Sequence, residues 1–107
     1  MLTITNTTTC NNYGFNHISR VYDNNYKLLG SSKIHYINRT WESYQYRTSM
    51  RAAVSAAMES IANKYINTFK QDHNYKNMTE KRIKEFNNYL LETDSLYKEL
   101  NEKYNQL

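Results

Sequence analysis

The chain has 107 residues, 39% of them hydrophobic, with a formal net charge of +4 and one cysteine. A chain of this length holds one domain with a modest core, and an aromatic content of 14% excludes a disordered polymer, which lacks rings with which to build a core. The lone Cys10 excludes an intramolecular disulfide and fits a reducing compartment, while no apolar run approaches the roughly 18 residues of a membrane span.

Eleven tyrosines supply most of the aromatic content, and Tyr suits half-buried surfaces and interfaces because its ring packs while its tip stays polar. Asn, Lys, Tyr and Ile are all abundant, and all have AT-rich codons, which points to a low-GC bacterial or phage genome. The N-terminal Met1-Leu2-Thr3-Ile4-Thr5-Asn6 has no basic leader region, so a cytoplasmic location in a bacterial host cell is expected. The charge is uneven. Residues 1–57 hold Arg20, Lys27, Lys33, Arg39, Arg47 and Arg51 against Asp23 and Glu42, a net of +4, and residues 58–107 balance eight bases against eight acids. The basic half is suited to phosphates or to an acidic protein surface.

Residues 2–10 are Thr-rich and partly alternating, which predicts a strand. Asn11-Asn12-Tyr13-Gly14 is a turn signal, residues 15–22 read as a second strand, and a third extended stretch runs over 26–37 with a bulge or break at Gly30-Ser31-Ser32. Together they predict an antiparallel β-β-β meander over residues 1–38. A helix over 40–70 follows, with Thr40 as its N-cap and Val54, Met58, Ile61 and Tyr65 as one buried stripe. Ala52, Ala53, Ala56 and Ala57 leave room for the close approach of a neighbouring element.

Residues 71–76 read as a loop, and Asn77 with Glu80 has the spacing of a capping box opening a second helix over 77–106. In that helix Ile83, Phe86, Leu90, Thr93, Tyr97, Leu100, Tyr104 and Leu107 form a heptad seam. Thr93-Asp94-Ser95 carries a local break signal, but the unbroken seam predicts one continuous helix. The expected fold is therefore α+β, a three-stranded antiparallel sheet followed by two long helices in a single domain. The seam serves either an intramolecular helical hairpin or a homodimer through the second helix.

The sequence offers little for catalysis. The two glycines are sixteen residues apart, so no phosphate loop exists, and Cys10, His17, His35 and His73 have no metal-ligand spacing. Cys10 reads as a small packed hydrophobe. No cofactor, metal or enzymatic activity is expected.

Binding features are clearer. The stripe of the first helix, extended backwards, reaches Arg47 and Arg51. Either their stems snorkel past the end of the core and pair with Glu42 or Asp23, or they join Arg39, Tyr44 and Tyr46 in a basic-aromatic patch that binds a partner. Trp41 is expected to plug the end of the sheet.

The run Tyr36-Ile37-Asn38-Arg39-Thr40-Trp41-Glu42, followed by Tyr44-Gln45-Tyr46, resembles a strand-to-helix signature of small phage and mobile-element proteins from low-GC Gram-positive bacteria. The resemblance covers roughly residues 15–60. In size and style the chain also resembles phage-encoded anti-CRISPR proteins, which implies a stoichiometric inhibitor of a host defence nuclease. With a charge of +4 rather than the acidity of a DNA mimic, such an inhibitor would grip an acidic protein face, the guide RNA or the assembled ribonucleoprotein. The expected function is thus a non-enzymatic phage or mobile-element inhibitor. The alternative is a nucleic-acid-binding module using the basic sheet and first-helix half, and a third reading is a small assembly protein that oligomerises through its helices.

Overall fold

A computed structural model describes residues 2–36 and 43–107. Three strands, β1 (Thr3–Asn11), β2 (Gly14–Tyr22) and β3 (Leu28–Tyr36), precede three helices, α1 (Ser43–His73), α2 (Glu80–Thr93) and α3 (Ser95–Gln106). The fold is α+β, with an antiparallel sheet in the order β1-β2-β3. Among the described residues, no helix is long and apolar enough to cross a membrane.

The β1–β2 hairpin turns through Asn12-Tyr13, and Gly14, which pairs with Asn11, takes φ 133°. Glycine adopts that conformation without a Cβ penalty. The β2–β3 turn is held by Asp23, whose carboxylate accepts from the backbone of Asn25 at 2.8 Å and of Lys27 at 2.9 Å. Of the bulge or break expected at Gly30-Ser31-Ser32, β3 shows a bulge, and it falls one residue earlier while the strand runs on through Gly30. Val21 pairs with Gly30 and Tyr22 with Leu28, so Leu29 is the extra residue.

Gly30 is instead the seat of α1. A Cβ at Gly30 would lie 2.5 Å from the Ala57 nitrogen and 2.6 Å from the Ala53 carbonyl oxygen. Both alanines are fully buried, so the small residues do allow a close approach, with a strand as the neighbour.

At 31 residues α1 is about 46 Å long, against about 30 Å for a nine-residue strand. Its C-terminal half therefore overshoots the sheet and needs another cover. Phe69 of α1 packs on Phe86 and Tyr89 of α2, with ring centroids 5.0 and 5.3 Å apart. Further back, Tyr65 donates to Asp94 at 2.9 Å, and Arg51 reaches the Leu107 carbonyl at 3.2 Å. The α2–α3 segment thus runs antiparallel to α1. Its seam residues Phe86, Leu90, Tyr97 and Leu100 share one core with Val54, Ile61 and Phe69, so the hairpin reading describes where the seam is spent.

The helix boundaries correct several expectations. The described residues form three helices, not two, because Asp94 (φ −116°, ψ 111°) ends α2 and caps α3, its carboxylate accepting from the Tyr97 backbone at 2.8 Å. The helix α1 continues to His73 and stops where Asn74 takes φ 60°, a left-handed conformation that Asn tolerates. The N-cap of α2 is Thr79 rather than Asn77, and its hydroxyl accepts from the Arg82 backbone. Thr40, Trp41 and Glu42 lie outside the described residues.

Gly30→Ala forces a Cβ into the helix backbone rather than into a yielding side chain. Thermal melts should show a loss of about 2 kcal/mol, a Tm drop on the order of 10 °C. An unchanged Tm would mean that α1 is not seated on this strand.

Candidate functional site

Alternation along β2 sends Phe15, His17, Ser19 and Val21 under α1 and leaves Asn16, Ile18, Arg20 and Tyr22 on the opposite face. The inner face carries a buried polar network where α1 crosses it. His17, Ser19 and Ser49 of α1 are all fully buried. The His17 imidazole lies 3.1 Å from the Thr8 hydroxyl through Nδ1 and 3.3 Å from Asn6 Oδ1 through Nε2. Ser19 Oγ lies 2.7 Å from the same Asn6 oxygen and 2.8 Å from Ser49 Oγ, and Tyr46 meets the His17 ring edge-on at 4.2 Å. Because Asn6 Oδ1 can only accept, Nε2 carries the proton, and in the neutral imidazole that burial favours Nδ1 accepts from Thr8. No buried side-chain nitrogen or oxygen among the described residues is left without a partner. Such a network fixes the rotation of α1 on the sheet, since any turn of the helix would strand a buried hydroxyl.

The five residues singled out for partner binding are distributed as follows. Arg39 lies outside the described residues, and of Tyr44 only the backbone falls within them. Tyr46 is half-buried against His17. Arg51 is half-buried too, stacked 4.3 Å from the Tyr104 ring centroid as it reaches the Leu107 carbonyl. It joins α1 to the end of α3, a structural use that the stripe alone does not reveal. Arg47, one turn earlier, is exposed.

Among the described residues, no helix covers the outer face of the sheet. All the described helical contacts to the strands come from α1, on the inner face. Across the outer face β1 sets Thr3, Thr5, Thr7 and Thr9 beside Tyr22, Arg20, Ile18 and Asn16 of β2. Beyond them β3 adds Ser31, Lys33 and His35, and His35 Nδ1 lies 2.9 Å from Asn16 Oδ1. Among the described residues no carboxylate stands on this face, and the carboxylate of Asp23 at its end is engaged by the turn backbone. Two tyrosines, Tyr13 and Tyr26, stand in the turns at opposite ends of the sheet, 80% and 79% exposed. Tyr26 does so at φ 58°, an uncommon conformation for a bulky residue. The sequence carried the signal for this face in its charge asymmetry, but Arg20 and Lys33 had no pattern to set them beside the threonines until the register was known.

A second surface is the groove of about 410 Å³ where α1 faces the α2–α3 bend. Met58, Ala62, Leu91, Tyr97 and Tyr104 line it together with Asn87 and Asn101. Among the described residues, no group of three or more His, Cys, Asp or Glu side chains is placed to hold a metal ion.

Burial lowers the His17 pKa below its ordinary 6.5. The unfolded chain therefore takes up this proton more readily than the folded one, so stability is lost as pH falls from about 6.5 through the lowered folded value and is level below it. Melts between about pH 7.5 and 5 should fall more steeply for the wild type than for His17→Gln. Equal slopes would place the imidazole in contact with solvent.

Comparison of the chain with protein-family models, with curated proteins and with solved structures finds no match.

Proposed function

We propose that the protein is a non-enzymatic binding module that holds duplex nucleic acid on the open face of its sheet. The observation that carries this reading is the outer face, where Arg20 and Lys33 stand among hydroxyl and amide side chains with no carboxylate between them. Three strands span about 10 Å, and nine residues run about 30 Å. With the half-widths of the outer strands added, the sheet is wider than a major groove of about 12 Å, which admits a two-stranded ribbon such as β2–β3, the pair that carries Arg20 and Lys33. The cations serve phosphates, and Thr, Asn and Ser side chains suit either phosphate oxygens or base edges.

A second reading is the stoichiometric inhibitor of a host defence nuclease, of the anti-CRISPR type, from a phage or mobile element. The helical groove favours it, because its mixture of Met, Leu, Tyr and Asn suits a protein side chain better than a phosphate. In that setting Arg47, the exposed arginine of the first helix, or the open sheet, would face the nuclease or its guide RNA.

Binding to random duplex should weaken with salt by a log–log slope of about −2 to −4, as expected for a few phosphate contacts. Replacing both cations, Arg20→Gln with Lys33→Gln, should flatten that slope by about 2. Circular dichroism should confirm that the variant folds. Absence of duplex binding near physiological salt would remove the nucleic-acid reading, and retention of a nuclease from host extract by the same protein would then favour the second.

A further inference from the structure

The edge of β1 that faces away from β2 has no neighbouring strand among the described residues. Natural sheet edges are usually blunted by lysines, prolines, bulges or short length. The β3 edge follows that rule, with Lys33 near its middle and the bulge at Leu29. The β1 edge does not. It runs nine residues with no charge, no proline and an unbroken register, and every residue from Thr5 to Cys10 is exposed.

We infer that β1 is a dimerisation edge that pairs antiparallel with the β1 strand of a second copy, giving one continuous six-stranded sheet. The sequence of the strand argues for its own copy as the occupant. With a two-fold axis at Thr7 all nine residues find a partner, Thr7 facing Thr7, Thr5 facing Thr9 and Ile4 facing Cys10. No like charges meet in this register, and threonine pairs are favoured cross-strand neighbours. Nine paired residues offer about eight to ten backbone hydrogen bonds, close to the number a whole protein interface usually carries. From Asn6 onward the inner side is also clear, since α1 packs mainly on β3 and β2 and leaves Asn6, Thr8 and Cys10 exposed, while Ile4 packs against the core and the Leu2 nitrogen donates to Glu99 of α3 just before the strand. Pairing would join the two outer faces into one surface with Arg20 and Lys33 repeated across the axis. The inference rests on the β1 edge and not on the nucleic-acid reading, so it is tested with nucleic acid absent.

Sedimentation of the purified chain should show a reversible monomer–dimer equilibrium below about 1 mM. Thr7→Lys, on the exposed face, sets two lysines together at the axis and should weaken the dimer at least tenfold. In a Cys10→Ser background, Thr7→Cys should give a disulfide-linked dimer under mild oxidation, while Lys33→Cys on the opposite edge stays monomeric. A monomer at all concentrations overturns the inference, whether the edge is then empty or taken by another protein's strand. A dimer unaffected by Thr7→Lys overturns it too. Should that variant fail to fold, cross-linking at Lys33→Cys as fast as at Thr7→Cys overturns it equally.

Discussion

The contact on which the rest of the structure depends is the backbone approach of α1 to β3 at Gly30. No side chain intervenes there, because Gly30 has none and Ala53 and Ala57 have only a methyl each. Seated this close, α1 covers β3 and β2 and only borders β1, whose inner residues Asn6, Thr8 and Cys10 stay exposed. That offset explains why β1 is written in Thr and Asn rather than in Val and Ile. Its inner residues sit at the margin of the helix, where Asn6 and Thr8 can satisfy the buried His17, Ser19 and Ser49 from the solvent side. The network and the close contact lie about two helical turns apart on α1, so one sets its distance from the sheet and the other its rotation.

A helix longer than the sheet requires a second layer, and α2 with α3 supplies it. The bend at Asp94 follows from the same geometry. Phe86 and Leu90 cover the overshooting end of α1 around Phe69, while Tyr97 and Leu100 return toward the end that lies on the sheet. Asp94 serves both helices at once, accepting from the Tyr97 backbone and from the Tyr65 hydroxyl. Arg51 closes the far end by reaching the last turn of α3. All of this lies on one side of the sheet. Among the described residues, no helix packs on the other side.

Much of this organisation was legible in the residues. Threonine alternation and the Asn-Asn-Tyr-Gly turn placed the first two strands, and the alanine run announced a close approach. The break at Asp94 was obscured because the hydrophobic seam keeps its phase across the bend, so the pattern looked continuous while the local Thr-Asp-Ser signal was right. Gly30 read as a bulge or break, and the bulge lies beside it at Leu29, but a glycine in a strand gives no sign that it also admits a helix. The inner face of β2 was hidden by composition, since Ile18 and Tyr22 on the outer face are as apolar as Phe15 and Val21 on the inner one. A lone His17 therefore gave no sign of burial. Arg51 shows the converse case, where a charge on an apolar stripe proved to bind its own chain. The comparisons with known proteins add no relative from which a partner could be borrowed, so the functional reading rests on the surface itself.

The measurement that bears most directly on this account is an NMR titration of the isotopically labelled protein with a short duplex. The account predicts amide shift changes gathered on Thr5, Thr7, Ile18, Arg20 and Lys33, in the strands that carry the open face, with Met58, Leu91 and Tyr104 of the helical groove undisturbed. Changes confined to the groove, or none at all, would contradict the claim that the uncovered side of the sheet is where this protein meets its partner.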